Sequence, residues 1–349
     1  MKISTTLDYA GGDMAAAARR ITDLELAGLD TVWVAEAYGF DAPTQMGYLA
    51  AITKTVTIGS AILPIYTRTP TLIAMTAASL DALSGGRAAL GLGASGPQVI
   101  EGFHGVPYDA PLGRTKEIIE ICHKVWARER VVHEGAHYTL PLPPDQGTGL
   151  GKPLKLINKP LRSHIPIWVA AIGPKNVQLM AEAADGWLPF FFLAEKAKAT
   201  WGADLDAGFA RRNPDLGPLQ ISATALVAIG EGDEIRDLRN LARPMMALYI
   251  GGMGARGRNF YNNLVRSYGY EAEAELIQDL YLDGKKDEAA AAVPEALLDA
   301  VSICGPQGYV ADRIAALAEA GVTQLNVNLA PTGDQTPASL VETIKKLSS

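Results

Sequence analysis

Short apolar runs alternate along most of this chain with longer alanine-rich runs of helical character, and that alternation sharply limits the folds open to it. Strands are predicted over 3–7, 31–35, 56–63, 88–93, 167–171, 187–191, 219–228 and 324–329, with helices over 14–27, 43–53, 69–83 and 175–184. Runs such as Ile167-Trp168-Val169-Ala170-Ala171 carry no polar side chain. Strands covered on both faces read this way, as a parallel sheet requires.

One unit recurs. Ala27-Gly28-Leu29-Asp30-Thr31-Val32 resembles Ala320-Gly321-Val322-Thr323-Gln324-Leu325, each a helix ending at a glycine suited to a left-handed cap, with a strand following at once. Eight strands with helices between them predict a (β/α)8 TIM barrel, an open doubly wound sheet being the competing arrangement. A length of 349 residues suits one barrel of about 250 with additions. Residues 1–349 are therefore read as a single barrel domain with insertions at about 94–111, 129–163 and 236–298.

The net charge of −7 argues against a nucleic-acid binder, which needs a basic surface to displace counterions. With 48% hydrophobic and 20% charged residues, disorder throughout is excluded. Cys122 and Cys304 stand far apart and are expected to be reduced core thiols. The first residues read as a strand rather than a secretion signal, and no apolar run reaches the length of a membrane span. A soluble, cytoplasmic protein without membrane partners is expected.

Two motifs are decoys in their context. His133-Glu134-Gly135-Ala136-His137 matches H-E-x-x-H, which binds zinc when it lies on a helix. Its flanks have strand character and its centre reads as a turn, so a hairpin with two surface histidines is expected and no metal site. Gly91-Leu92-Gly93-Ala94-Ser95-Gly96 matches G-x-G-x-x-G after a strand, but Pro97 and an irregular stretch to Pro111 follow instead of the dinucleotide helix. Its small residues still let backbone N–H groups approach an anion. Ala171-Ile172-Gly173-Pro174-Lys175-Asn176 ends another strand and opens a helix, with proline suited to the first helical position and Lys175 adding charge. Gly252-Met253-Gly254-Ala255-Arg256-Gly257-Arg258 reads either as a mobile insertion loop or as a holder of an acidic group. Hydrolase and nucleoside-triphosphatase motifs are missing, which favours a cofactor that carries the chemistry.

Val32-Trp33-Val34-Ala35-Glu36, Ile58-Gly59-Ser60-Ala61-Ile62-Leu63-Pro64 and, most specifically, Leu80-Asp81-Ala82-Leu83-Ser84-Gly85-Gly86-Arg87-Ala88-Ala89-Leu90-Gly91-Leu92-Gly93 resemble the luciferase-like flavin and deazaflavin oxidoreductase superfamily. Ala94-Ser95-Gly96-Pro97-Gln98 with Gly102-Phe103-His104-Gly105 is similar to its coenzyme F420-dependent branch. The resemblance implies a barrel with the deazaflavin across the strand C-termini and a non-prolyl cis peptide, which by position is Ala61–Ile62. It implies cofactor contacts at Glu36, Ser60, Ala61, Ile62, Ala94, Ser95, Gly96, Ile172, Gly173, Pro174 and Lys175. Arg68, Lys175, Arg256 and Arg258 are the candidate positive charges for an anionic cofactor. The branch's sugar-phosphate and alcohol dehydrogenases carry a histidine and a glutamate where this chain has Ala37 and Gly96, so their substrates are not carried over. Glu36, Tyr38, Asp41, Tyr66 and His104 remain as candidate catalytic groups.

The expected activity is hydride transfer between coenzyme F420 and a small organic substrate. The alternatives are an FMN-dependent monooxygenase of the same superfamily and a non-catalytic flavin-binding protein. The resemblance also implies a homodimer.

Overall fold

The computed structural model describes residues 1–8 and 12–348. Its strands are β1 (Lys2–Thr6), β2 (Thr31–Val34), β3 (Thr57–Ser60), β4 (Leu63–Pro64), β5 (Ala88–Gly93), β6 (His133–Glu134), β7 (Thr139–Leu140), β8 (Ile167–Val169), β9 (Gly186–Trp187), β10 (Gln220–Ile229), β11 (Ser302–Gly305) and β12 (Gln324–Leu329). Parallel pairing runs β12–β1–β2–β3–β5–β8–β9–β10 and closes from β10 back onto β12. Eight strands thus complete the (β/α)8 barrel expected from the alternation, and the open sheet is excluded.

The strands present two faces with different neighbours. Val32, Ile58, Leu90, Leu92, Val169, Leu325 and Val327 point outward into one core shared with the surrounding helices. Trp33, Ala89 and Trp168 form a separate cluster on the inward face, with Ala61 and Leu188 against it. Gly59 and Gly186 make room for the two indoles, since a Cβ on either would stand 2.2 Å from a tryptophan ring atom. The indoles meet edge to face at 5.2 Å.

The helices start and stop where local chemistry directs. Asp13, Asp41 and Thr69 accept backbone N–H groups at the starts of Met14–Leu26, Ala42–Ile52 and Pro70–Ser84. Gly85, at φ 68°, ends the last of these in the left-handed conformation. The signature that follows is structural. Arg87 donates to the carbonyls of Val56 (2.7 Å), Thr53 (3.1 Å) and Ser84 (2.7 Å). Buried Asp81 receives the Ala88 amide and pairs with Arg162, which ties the segment before β8 to the barrel.

Several details differ from the sequence reading. β11 was not predicted: it has four residues and directly follows the helix Glu295–Val301. It joins the edge of β10 opposite β12, continuing beyond β9, with Leu226 beside Ser302. One helical turn, Pro97–Ile100, opens inside the stretch expected to be irregular. The strand predicted over 56–63 divides after Ser60, where the Ala61–Ile62 peptide is cis, as expected, and then resumes as β4.

The division depends on β5. A Cβ on Gly91 would lie 1.8 Å from the Ser60 carbonyl oxygen, and one on Gly93 would lie 2.8 Å from Ile62 Cγ1. Ser60 Oγ donates to the Gly91 carbonyl and accepts the Gly91 amide, both at 2.9 Å. The Gly-x-Gly of β5 therefore admits the bulge of the neighbouring strand.

Gly91→Ala is expected to cost about 3 kcal/mol or more in urea unfolding, because the clash is with backbone. Gly96→Ala, where a Cβ meets nothing within 4 Å, is expected to stay within about 0.5 kcal/mol of the parent.

Candidate functional site

All barrel strands run the same way, so the loops after them open on one face, where barrel active sites are built. β5 and β8 are neighbours, with Leu92 beside Val169 and the Ala170 amide donating to the Leu92 carbonyl at 2.9 Å. The mouths Ala94-Ser95-Gly96 and Ile172-Gly173-Pro174 consequently lie side by side. Ser95 has φ 57°, and Gly173 caps the helix Pro174–Ala183 without help from a side chain. The first amides of that helix face the same mouth. Lys175 is exposed there and has no partner among the described residues. Phe260 reaches over from the segment after β10, its ring 3.9 Å from where a Gly173 Cβ would be.

The other candidates divide by what already holds them. Glu36 is buried and receives both nitrogens of Arg68 (2.5 and 2.9 Å) and the Ala42 amide (2.8 Å). Arg68 is therefore neutralised within the protein, and Arg256 is paired with Asp279 at 2.8 Å. Arg258 is exposed without a partner among the described residues. Ser60 is fully buried and engaged with Gly91, so its side chain does not reach the mouth. Asp41 caps a helix through Thr44 (3.1 Å), and Tyr66 donates to the Asp109 carbonyl (2.8 Å). Burial, with Tyr108 adding to it, pushes the Tyr66 hydroxyl up from its ordinary range. Tyr38 is exposed, 6.3 Å from the Phe103 ring, while His104 Nε2 is buried without a partner among the described residues.

Aromatic residues not singled out in the sequence line the rim. The Tyr108 ring packs at a tilt of 36° against Tyr66, 5.1 Å between centroids, and its hydroxyl lies 3.5 Å from the Ser95 carbonyl. Phe190, after β9, stacks on Tyr249 at 4.1 Å and meets Tyr261 at 5.0 Å. Burial first, then Tyr249 and Tyr108, raises the Tyr261 hydroxyl above its ordinary range.

Below the rim the barrel is open. Thr224 lies mid-strand in register with Asn326 of β12, on the face opposite the outward core residues Ala223 and Ala225, which are buried, yet Thr224 is exposed. Its exposure is to the interior of the barrel. Thr6, Leu226 and Asn328 are partly exposed into the same well, and Trp33 Nε1 is a buried donor with no partner among the described residues. The polar set was legible only as the alternation Gln324-Leu325-Asn326-Val327-Asn328. A separate cleft of about 600 Å³ opens at the ends of β10 and β11. Its arginines are already paired, Arg236 with Asp233 and Arg239 with Glu295 and Asp299.

The H-E-x-x-H segment is the hairpin β6–β7, with one correction: His133 is buried rather than on the surface. Glu117 lies against it at 3.2 Å and receives the amides of Ala136 (2.9 Å) and Tyr138 (2.9 Å). Burial raises the Glu117 carboxyl, but His133 and the amides of Tyr138 and His137 outweigh it and hold the group below the ordinary range. Among the described residues no cluster of three or more His, Cys, Asp or Glu is arranged to hold a metal. Both cysteines are buried, which pushes Cys304 up to about 11 and Cys122 higher still. No described helix is long and apolar enough to cross a membrane.

A closed parallel barrel with a bulged third strand and paired small-residue mouths above an open well is the architecture of a cofactor-binding barrel enzyme. Residues 1–324 match the luciferase-like monooxygenase family, and the chain belongs to it. It is 43% identical over 331 residues, 94% of each chain, to a Mycobacterium tuberculosis protein named "Putative coenzyme F420-dependent oxidoreductase". It is 29% identical over 314 residues to a 5,10-methylenetetrahydromethanopterin reductase of Archaeoglobus fulgidus, covering 86% of this chain and 85% of that one. The coenzyme F420-dependent tetrahydromethanopterin reductase of Methanopyrus kandleri shares the fold, with a TM-score of 0.77 at 22% identity over 98% of this chain and 96% of that one.

Arg68→Met leaves the Glu36 carboxylate buried and unpaired and is expected to lower unfolding free energy by about 3 kcal/mol, with Glu36→Gln in the same chain restoring most of it. For Glu117 the folded pKa lies below the unfolded one. Its contribution is therefore complete above pH 4.5, the ordinary carboxyl value, and is lost as pH falls through the folded pKa. Glu117→Gln is expected to be about 1–2 kcal/mol less stable than the parent at pH 7, with the gap narrowing in acid unfolding curves below that value.

Proposed function

We propose that this protein is a coenzyme F420-dependent oxidoreductase that moves hydride between the deazaflavin and a small organic substrate. The observation that carries the reading is the pair of neighbouring mouths, Ala94–Ser95–Gly96 and Ile172–Gly173–Pro174, opening above a bulge-backed well. The well is exposed as deep as Thr224 and contains the orphaned Trp33 Nε1, so its residues suit a planar ligand with polar atoms.

In this reading the Ala61–Ile62 bulge supports one face of the ring from below. The backbone amides around Ala94, Ser95 and Gly96, with those of Gly173 and Lys175, receive the phosphate, and Ile172 and Pro174 flank it. The free ammonium of Lys175 supplies local positive charge on a net-acidic chain. Glu36, neutralised by Arg68, orders the entrance to the helix Ala42–Ile52 beside the site rather than exchanging protons. Of the remaining acid–base candidates, Asp41 and Tyr66 are committed to backbone partners, whereas Tyr38 and His104 are not. When bound, a 5-deazaflavin supplies hydride chemistry at a carbon centre, which does not activate oxygen as the nitrogen of FMN does. The names of the relatives favour the deazaflavin over FMN.

Titration of the purified protein with oxidised coenzyme F420, followed by quenching of cofactor fluorescence, is expected to give saturable binding, with FMN far weaker. Tight FMN binding with none for the deazaflavin defeats the proposal. Lys175→Glu is expected to weaken deazaflavin binding about tenfold or more, the loss shrinking as salt is raised.

A further inference from the structure

The inner wall formed by β1, β10 and β12 has a polar arrangement that the fold alone does not require. Ser4, Asn326 and Thr224 stand in register on the three strands. Asn326 accepts from Ser4 Oγ (3.3 Å) and donates to Thr6 Oγ1 (3.1 Å) and Thr224 Oγ1 (3.0 Å). Its amide orientation is thereby determined, and each threonine hydroxyl acts as acceptor within the wall and keeps its own hydrogen to donate. Two residues further along β12, Asn328 turns the same way as Asn326. Asn328 is partly exposed, and its side-chain amide has no partner among the described residues. Trp33, opposite Thr6 in register on β2, adds the unpartnered donor Nε1. Above Lys2 no inward side chain of β1, β10 or β12 is charged.

These groups form a neutral set rich in donors, with one amide able both to donate and to accept, at the depth where the well is open. A buried polar group without a partner costs about 1–3 kcal/mol, and Trp33 Nε1 is such a donor; with the threonine hydroxyls and the Asn328 amide facing the same open space, the set points to a ligand that satisfies them. An anion finds no charge here, and an apolar ligand leaves the donors unpaired. A heterocycle edge with alternating carbonyl and N–H groups matches both the neutrality and the donor–acceptor order.

Resting on the cofactor reading above, we infer that Thr6, Thr224 and Asn328 bind the carbonyl and imide edge of the deazaflavin ring. The phosphate end stays at the mouths after β5 and β8. Asn328 pairs with the imide N–H and one carbonyl, and the threonine hydroxyls donate to ring oxygens. This wall positions the ring and transfers no proton.

The full-length protein and its variants are titrated with oxidised coenzyme F420 by fluorescence quenching, with thermal melting as a check of folding. Asn328→Leu and Thr224→Val are each expected to raise the dissociation constant about tenfold, the loss of one hydrogen bond to a buried group. Thr224→Ser keeps the hydroxyl and is expected to bind within about twofold of the parent. Each substitution also leaves a distinct mark on the absorption band of the bound chromophore, which a purely structural defect does not produce. If the parent binds and both Asn328→Leu and Thr224→Val bind equally well, the assignment is wrong while the cofactor reading stands. If Thr224→Ser loses as much affinity as Thr224→Val, shape rather than the hydroxyl governs the site, and the assignment again fails. If the parent itself does not bind coenzyme F420, both fall together.

Discussion

The contact between β3 and β5 governs the rest of this molecule. A backbone carbonyl, Ser60 O, occupies the space that any side chain on Gly91 would need, and Ile62 does the same at Gly93. Close packing of backbone against backbone leaves no slack, so the third strand bulges inward above this point and its Ser60 side chain replaces a ladder bond. The bulge forms one side of the well, and the last glycine of β5 leads directly into Ala94 and Ser95. One pair of glycines thus shapes both the support and the mouth of the candidate site.

Around that contact the interior separates into two halves. The side of β2, β5 and β8 is aromatic and small, with Trp33 and Trp168 fitted over glycines. The side of β1, β10 and β12 is polar and uncharged above Lys2, held together by the Asn326 amide. In the proposed reading, each half suits one side of an amphipathic planar ligand. Charges are kept to the rim, where Glu36 and Arg68 cancel each other and Lys175 stays free. Membership of the luciferase-like monooxygenase family agrees with this division of labour, in which the protein binds and orients and a cofactor reacts.

Much of this was legible in the chain and some was not, for reasons that differ from residue to residue. Short β-rich runs, several of them apolar throughout, marked most of the eight barrel strands closely, because a strand covered on both faces has little freedom of composition. The 187–191 run shortened to Gly186–Trp187: Leu188 packs onto the inward tryptophan cluster, Phe190 joins Tyr249 and Tyr261 at the rim, and Phe191 enters the main core. β11 escaped because four residues carry no period. Glu117 escaped because it lies on the helix Pro111–Trp126, 16 residues before His133, where it reads as an ordinary polar position. The functions of Asp81 and Arg87 were hidden within a signature that suggested a site but staples strands and helices together. Arg68 looked like an anion anchor until its partner, 32 residues away, was seen to claim it.

The sequence by itself determined the alternation of barrel strands and helices, the small-residue turns and the family. These follow from local patterning and from steric demands that act over a few residues. Only the tertiary structure decided which groups remain available for chemistry. Whether Arg68, Asp41 or Ser60 is free depends on a partner brought close by folding, and which face of Gln324–Leu329 looks into the well depends on how the barrel closes. Hydrogen bonding and burial are properties of neighbours in space, and a linear chain does not state who those neighbours are.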